Sequence, residues 1–353
     1  MKNLIIDKKA IRSNLQAIKQ RAGGVTIYAD LSGDAFGLGL LETAKLLRDD
    51  GIRNFAVSDP KDAALLRKNG FVDQRIMMLR STADNEELSE LIDLNVVCTV
   101  GSYDAAVALN GLAEERRTVV EVQLKVDTGL GRYGFMPTEI DKMAAIYRYM
   151  PNLAVVGAFT SFSCSWKSKK ITLAQLDQFK EVMDRLVSMG FEVGITHAID
   201  SAALFRYDLD KMSAVRVDTA LSGRIPGRNY KALHKVGYIA AGIEELGWFP
   251  KGHRIGSRIV LKKPTKLAVI SIGYYHGFGV YRREESTSLF GFLKSKNRRL
   301  YVKINGHRAP VVGDVGMMHT IVDATKIDCI VGDTAIMDVD PVNVKGVPRL
   351  YKS

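Results

Sequence analysis

Four stretches concentrate the side chains that can do chemistry: "IYADLSGDAFGLG" (27–39), "KVDTGLGRYGF" (125–135), "HAIDSAA" (197–203) and "AVRVD" (214–218). They carry an amine (Lys125), two guanidiniums (Arg132, Arg216), an imidazole (His197), carboxylates (Asp127, Asp200, Asp218) and hydroxyls (Ser32, Ser201). A guanidinium drawn into a pocket needs an anionic partner, and a ligand carboxylate serves as well as a protein one. Metal chemistry is not indicated, because the six histidines form no HxxxH or HxH pair. His197 taken alone reads as readily as a core histidine as it does as a catalyst. The glycines of "GDAFGLG" match neither GxGxxG nor GxxxxGK[ST], so no nucleotide-phosphate loop is supported.

These stretches fall where strands end. Asp7 reads as a helix N-cap, followed by Ile11, Leu15 and Ile18 at helical spacing. Strands are then expected at 25–31, 54–58, 75–79, 95–100, 118–126, 153–160, 193–198 and 214–218, with helical patterns between them. Several of those helices are closed by glycine, as at Gly51, Gly70 and Gly190. Eight strands alternating with helices predict an α/β fold, a (β/α)8 TIM barrel, with an open doubly wound sheet as the competing topology. In such a barrel the C-terminal strand ends carry the chemistry. That rule selects Ser32, Phe36, Lys125, Asp127, Arg132, Ser161, His197, Asp200, Ser201, Arg216 and Asp218.

Beyond "GRIPGRNY" (223–230), short strand-like runs separated by turn residues predict a C-terminal, mostly β domain. The expected division is a barrel over 8–228 and a β domain over 229–353 that also takes the strand at 1–7.

The chain has 353 residues, which exceeds the size at which one core usually stops growing. Its formal net charge is +11, and the basic runs "WKSKK" (166–170) and "KSKNRR" (294–299) are short and unaccompanied by any nucleic-acid reader, which argues against nucleic acid as the partner. Three widely spaced cysteines, Cys98, Cys164 and Cys329, fit a reducing compartment. No stretch has the length of a signal h-region or a membrane span, so a cytoplasmic protein is expected, with no membrane association.

The motifs "KVDTGLGRYGF", "HAIDSAA", "ISIGYYHGF" (270–278), "VGDVGMM" (312–318) and "GVPRLY" (346–351) fall in the order and approximate spacing of the alanine racemase family, which the chain resembles over nearly its whole length. The resemblance implies an N-terminal (β/α)8 barrel that binds pyridoxal phosphate and a C-terminal β domain that includes the first strand. It also implies a head-to-tail homodimer in which each β domain completes the other subunit's site.

Carried across residue by residue, the resemblance implies that Tyr274 matches the catalytic tyrosine and Arg216 the arginine facing the pyridine nitrogen. Arg132 and Met317 match substrate-side contacts, Lys125 a lysine carbamylated in some members, and Ser201 and Tyr351 phosphate contacts. Other positions depart from the pattern. Ser32 stands where the family has its Schiff-base lysine, Phe36 replaces a phosphate-binding tyrosine, and Ser161 replaces a histidine. Asp218 replaces a glycine that offers its N–H to the phosphate, Asp200 replaces an asparagine, and Gly316 and Met318 replace a cysteine and an aspartate.

Racemisation needs the α-proton removed into an electron sink, with an acid/base group on each face. Without a lysine at 32 the ordinary route is expected to be lost. Lys125 is the remaining lysine placed near the mouth. The expectation is therefore a divergent member that needs no cofactor and binds a small amino-acid-like molecule in the barrel mouth. There Asp200 and Asp218 favour an amine, and Lys125, Arg132 and Met317 line the ligand. Two alternatives stand beside it. One is an active racemase for alanine or a basic amino acid, with pyridoxal phosphate held by His197, Ser201, Arg216 and Tyr351. The other is a structural or regulatory partner of an active racemase.

Overall fold

The computed structural model describes residues 2–256, 259–280 and 300–353. The run "KSKNRR" lies outside the described residues. Two compact units are present, one of residues 11–234 and one of residues 1–10 with 235–353.

The first unit is a closed barrel. Its strands are β2 (Thr26–Asp30), β3 (Asn54–Val57), β4 (Arg75–Ser81), β5 (Val97–Val100), β6 (Val120–Lys125), β7 (Leu153–Phe159), β8 (Ile195–Ile199) and β9 (Ala214–Val217). Each pairs in parallel with the next, and β9 returns to β2. All eight expected barrel strands form, and the doubly wound alternative is excluded by closure.

The strands hold because their interior positions are apolar near the barrel's middle. Tyr28, Ala56, Met77, Val97, Phe159 and Ala214 form one buried cluster. Several of the helices between strands start where the sequence supplies a cap. Asp59, Asp84, Ser102 and Ser168 each accept a backbone N–H of the first turn, a device whose loss costs roughly 1 kcal/mol. Asp7 does the same for helix Lys8–Ala22, accepting from Ala10 N at 3.1 Å.

In the second unit β1 (Lys2–Asp7) lies between β10 (Tyr238–Phe249), antiparallel, and β18 (Arg349–Lys352), parallel. Two short strands, β11 (Arg254–Ile255) and β12 (Ile259–Val260), pair with each other. β13 (Thr265–Ile270) joins β10 to β16 (Thr320–Asp323), while β14 (Tyr301–Ile304) pairs with β15 (His307–Pro310) and β17 (Thr334–Asp338). The unit is mostly β, as expected.

The longest strand, β10, was not anticipated. Its run "YIAAGIEELGWF" is rich in small and acidic residues, yet Ile239, Ala241 and Ile243 alternate into the core before a bulge near Glu245 shifts the register. Among the described residues no helix is long and apolar enough to cross a membrane.

Candidate functional site

The candidate site is built at the C-terminal ends of β2, β6, β7, β8 and β9, above the apolar layer. The side chain of Gln123 on β6 reaches the interior, donating to the Tyr28 hydroxyl at 3.2 Å and pairing with His197 Nε2 through Oε1 at 2.8 Å. His197 is fully buried and lies between two rings, 5.0 Å from Tyr28 and 5.1 Å from Phe159. Its Nδ1 faces Arg216 Nη1 at 3.2 Å. A guanidinium only donates, so Nδ1 accepts and Nε2–H donates to Gln123. Burial and the Arg216 charge hold the imidazole well below its ordinary pKa, and this neutral ring anchors Arg216.

Arg216, 7% exposed, also donates to Ser161 Oγ at 2.9 Å and lies over the Phe159 ring at 5.2 Å. Three carboxylates, Asp30, Asp200 and Asp218, act on its charge. Burial lifts Asp30 to about 6, against the hydrogen bonds from Ser32 and with Asp218 adding to the rise. Burial and the neighbouring Asp218 lift Asp200 to about 6 as well. Asp200 accepts from Ser165 Oγ at 2.6 Å and caps helix Ser201–Arg206 through Ala203 N at 2.8 Å.

The turn after β9 is already satisfied internally. Ser201 Oγ accepts the N–H of Asp218 at 2.9 Å and of Ala220 at 3.1 Å. Asp218 Oδ1 accepts the N–H of Thr219 at 2.6 Å and its hydroxyl at 3.2 Å.

Ser32 opens a tight turn after β2. Gly33, Asp34, Ala35 and Phe36 all have φ between 54° and 62°, a left-handed run that costs roughly 1 kcal/mol for each residue with a Cβ. Gly39 N bonding Asp34 O at 3.0 Å and Leu40 N bonding Asp34 Oδ1 at 2.7 Å hold it. Ser32 Oγ meets Ser58 Oγ at 2.7 Å, and Ser32 N donates to Asp30.

On β6 the picture is opposite. Lys125 is 3% exposed, and its Nζ lies 5.2 Å from the Tyr133 ring and 5.4 Å from the Phe159 ring. Burial, with Arg216 and Arg132, lowers its pKa to about 8 against the pull of Asp127. Asp127 Oδ1 collects the N–H groups of Gly129, Leu130 and Gly131 at 2.8–3.1 Å. Burial alone would raise the Asp127 carboxyl, but those three bonds and Lys125 outweigh it and bring its pKa below the usual range. The loop thus folded presents Arg132 to solvent. Gly134 must be glycine there, since a Cβ would sit 2.8 Å from Asp127 N at a φ of 110°.

The barrel thus gathers Ser32, Lys125, Arg132, His197, Asp200, Ser201, Arg216 and Asp218. Tyr274, Met317 and Tyr351 belong to the second unit. Tyr274 and Met317 are both exposed, and their loops touch, Tyr274 N donating to Gly316 O at 2.9 Å and Tyr275 N to Met317 O at 3.1 Å. Tyr351, on β18, has Lys8 Nζ 5.3 Å from its ring centroid.

Asp30 and Gln123 were missed, although alternation from Tyr28 and Lys125 puts them on the interior side of their strands. Ser165 and Ser58 carry no such signal, because their contacts cross loops. Among the described residues no group of His, Cys, Asp or Glu is arranged to hold a metal.

A closed eight-stranded parallel barrel followed by a β-rich unit, with an arginine–histidine pair at the mouth, defines a narrow class. The N-terminal alanine racemase domain matches residues 6–226 and the C-terminal alanine racemase domain residues 237–346. The chain belongs to the alanine racemase family.

It is 30% identical to the alanine racemase of Halothermothrix orenii over 341 residues, 94% of this chain and 86% of that one. It is equally 30% identical to that of Methylacidiphilum infernorum over 342 residues, 94% and 82% of the two chains. The alanine racemase of Clostridium difficile superposes with a TM-score of 0.82 at 25% identity, over 99% of this chain and 88% of that one. The alanine racemase of Bartonella henselae, solved with covalently bound pyridoxal phosphate, superposes with a TM-score of 0.83 at 22% identity, over 99% of both chains. This last likeness speaks to the fold.

Proposed function

We propose that this chain is a divergent alanine-racemase-like protein that keeps the family scaffold and uses the barrel mouth to bind a small amino-acid-like molecule, without pyridoxal phosphate. The observation that carries the reading is the turn after β9. A phosphate needs free N–H donors and positive surroundings. Here Ser201 and Asp218 already take the N–H groups of residues 218–220, and Asp30 and Asp200 add two more carboxylates nearby. A phosphate charge about 4 Å from one carboxylate costs about 4 kcal/mol per charge pair at an effective dielectric near 20.

Ser32, in the position that the resemblance assigns to the Schiff-base lysine, offers a hydroxyl engaged with Ser58. The residues present therefore do not fit the family's cofactor. They fit an amine beside Asp30, Asp200 and Asp218, and a carboxylate on Arg132.

The test is calorimetry against D- and L-amino acids and diamines, with a parallel visible-absorption titration of pyridoxal phosphate. Binding of an amino acid and no stable visible band are expected. A stable band, or a folded protein that binds none of these ligands, overturns the reading.

The second reading, an active racemase, is favoured by Arg216 and Tyr274, which match family residues. Turnover of alanine or a basic amino acid with pyridoxal phosphate supplied would establish it. For either reading the family scaffold implies a head-to-tail homodimer, expected as a dimer mass in sedimentation equilibrium.

A further inference from the structure

The amine-binding reading rests on the acidic side of the mouth and leaves the β6 side unexplained. Lys125 is the last residue of β6, two positions after the interior-facing Gln123, so strand alternation aims its side chain into the mouth. Only 3% of the residue is exposed, yet among the described residues its Nζ has no hydrogen-bond acceptor and no ion pair, only the faces of Tyr133 and Phe159. Buried ammonium groups are ordinarily paired. Asp127, whose charge acts on Lys125, spends its Oδ1 on three backbone N–H groups of its own loop.

Two further cations, Arg216 and Arg132, act on Lys125, and burial with these charges brings the amine to about 8, where a usable share is unprotonated near neutral pH. An unprotonated, desolvated lysine beside other cations is a carbonyl nucleophile. Arg132, exposed and without an ion pair among the described residues, supplies a planar fork for a carboxylate.

We propose that Lys125 is an imine-forming nucleophile for small 2-oxo acids, with the carboxylate held on Arg132 and the carbonyl carbon against Nζ between the Tyr133 and Phe159 rings. The Nζ lone pair attacks C2, and the carbonyl oxygen takes up a proton as the nitrogen gives one up. The resulting carbinolamine then loses that oxygen as water, forming a C=N bond. One water leaves for each carbonyl consumed, and no oxidant or reductant enters. The proposal shares Arg132 with the amine-binding reading but uses Lys125 in place of the acid cluster, so a mapped adduct on Lys125 and amino-acid binding in calorimetry test the two separately.

The experiment incubates the full-length protein with pyruvate, reduces with sodium borohydride, and maps adducts by peptide mass spectrometry. The expected result is one adduct on the peptide that holds Lys125, far above any surface lysine. Labelling should rise as pH goes from 7 to 9, with Asp127, Arg132 and Arg216 the charged groups that set the window. Arg132→Gln is expected to cut labelling at limiting pyruvate by about tenfold, the loss of one charge-assisted pair, while acetaldehyde, which lacks the carboxylate, labels no better on either protein. Lys125→Arg keeps the charge and should remove the adduct. Because the mapping is read on the unaltered chain, a variant that fails to fold does not blunt the test. No adduct, or adducts spread over exposed lysines, overturns the proposal, and neither outcome touches amino-acid binding measured by calorimetry.

Discussion

The two sides of the barrel mouth differ in how their charges are satisfied. On the side formed by β2, β8 and β9, three carboxylates and one guanidinium are tied into the fold by Ser32, Ser165, Thr219, Ser161 and His197. On the β6 side, Lys125 and Arg132 carry charge with no partner among the described residues. The first arrangement orders the side chains around Arg216 and sets local polarity. Under the proposed function the second is left for a ligand, since among the described residues neither cation has a hydrogen-bonded or ion-paired anion. The acidic side is therefore ordered by the fold's own hydrogen bonds, whereas the basic side is not.

The sharpest way to break this contrast is to remove the acidic side's cation. Arg216→Met leaves Asp30, Asp200 and Asp218 without compensation, and a loss of about 3–5 kcal/mol is expected in urea unfolding at pH 7. A loss under 1 kcal/mol would show that the carboxylates are solvated and the contrast false.

The opposite sign is expected across the mouth. Lys125 has its folded pKa lowered to about 8 from 10.5, so below pH 8 the folded state bears a charge it disfavours. Lys125→Met should stabilise by about 1–3 kcal/mol at pH 7, and that gain should fade as pH rises from 8 to 10.5. Denaturation midpoints over this range decide it.

The acid pair gives a third, smaller effect. Asp30 and Asp200 have folded pKa values raised to about 6 from 3.8, so the folded state binds more protons in that interval and their contribution weakens as pH rises through it. Asp200→Asn keeps the helix cap and should flatten that decline, by roughly 1–2 kcal/mol in the wild-type-minus-variant difference between pH 4 and 7. A difference that does not change with pH would place Asp200 in solvent. The smallest effect on folding is expected for Arg132→Gln, within about 0.5 kcal/mol, while amino-acid affinity in calorimetry falls about tenfold, as for a lost charge-assisted bond. Unchanged affinity would remove Arg132 from the binding surface.

Much of the fold was legible because the barrel strands are bracketed by turn signals and several helices carry their own cap, as at Asp59, Asp84 and Ser102. Where local signals were weak the reading failed. The small and acidic residues of β10 hid the longest strand, whose alternation matters only because β1, β13 and β17 pair with it. The left-handed run 33–36 carries little local signal, since three of its four residues are not glycine. Tertiary contacts, including Ser32 to Ser58, impose what local propensity disfavours.

Sequence alone determined the eight-stranded barrel, the β-rich second unit and which strand ends carry amine, guanidinium and carboxylate, because these follow from periodicity and residue type. It also fixed the serine at position 32. Only the tertiary structure decided the state of each group: that His197 is a neutral strut, that Asp30 joins the acid cluster, and that the β9 turn has spent its donors. It also decided that Lys125 is buried with no hydrogen-bond or ion-pair partner among the described residues. Protonation and hydrogen-bond satisfaction depend on burial and on neighbours tens of residues away in the chain, and the packed barrel creates both.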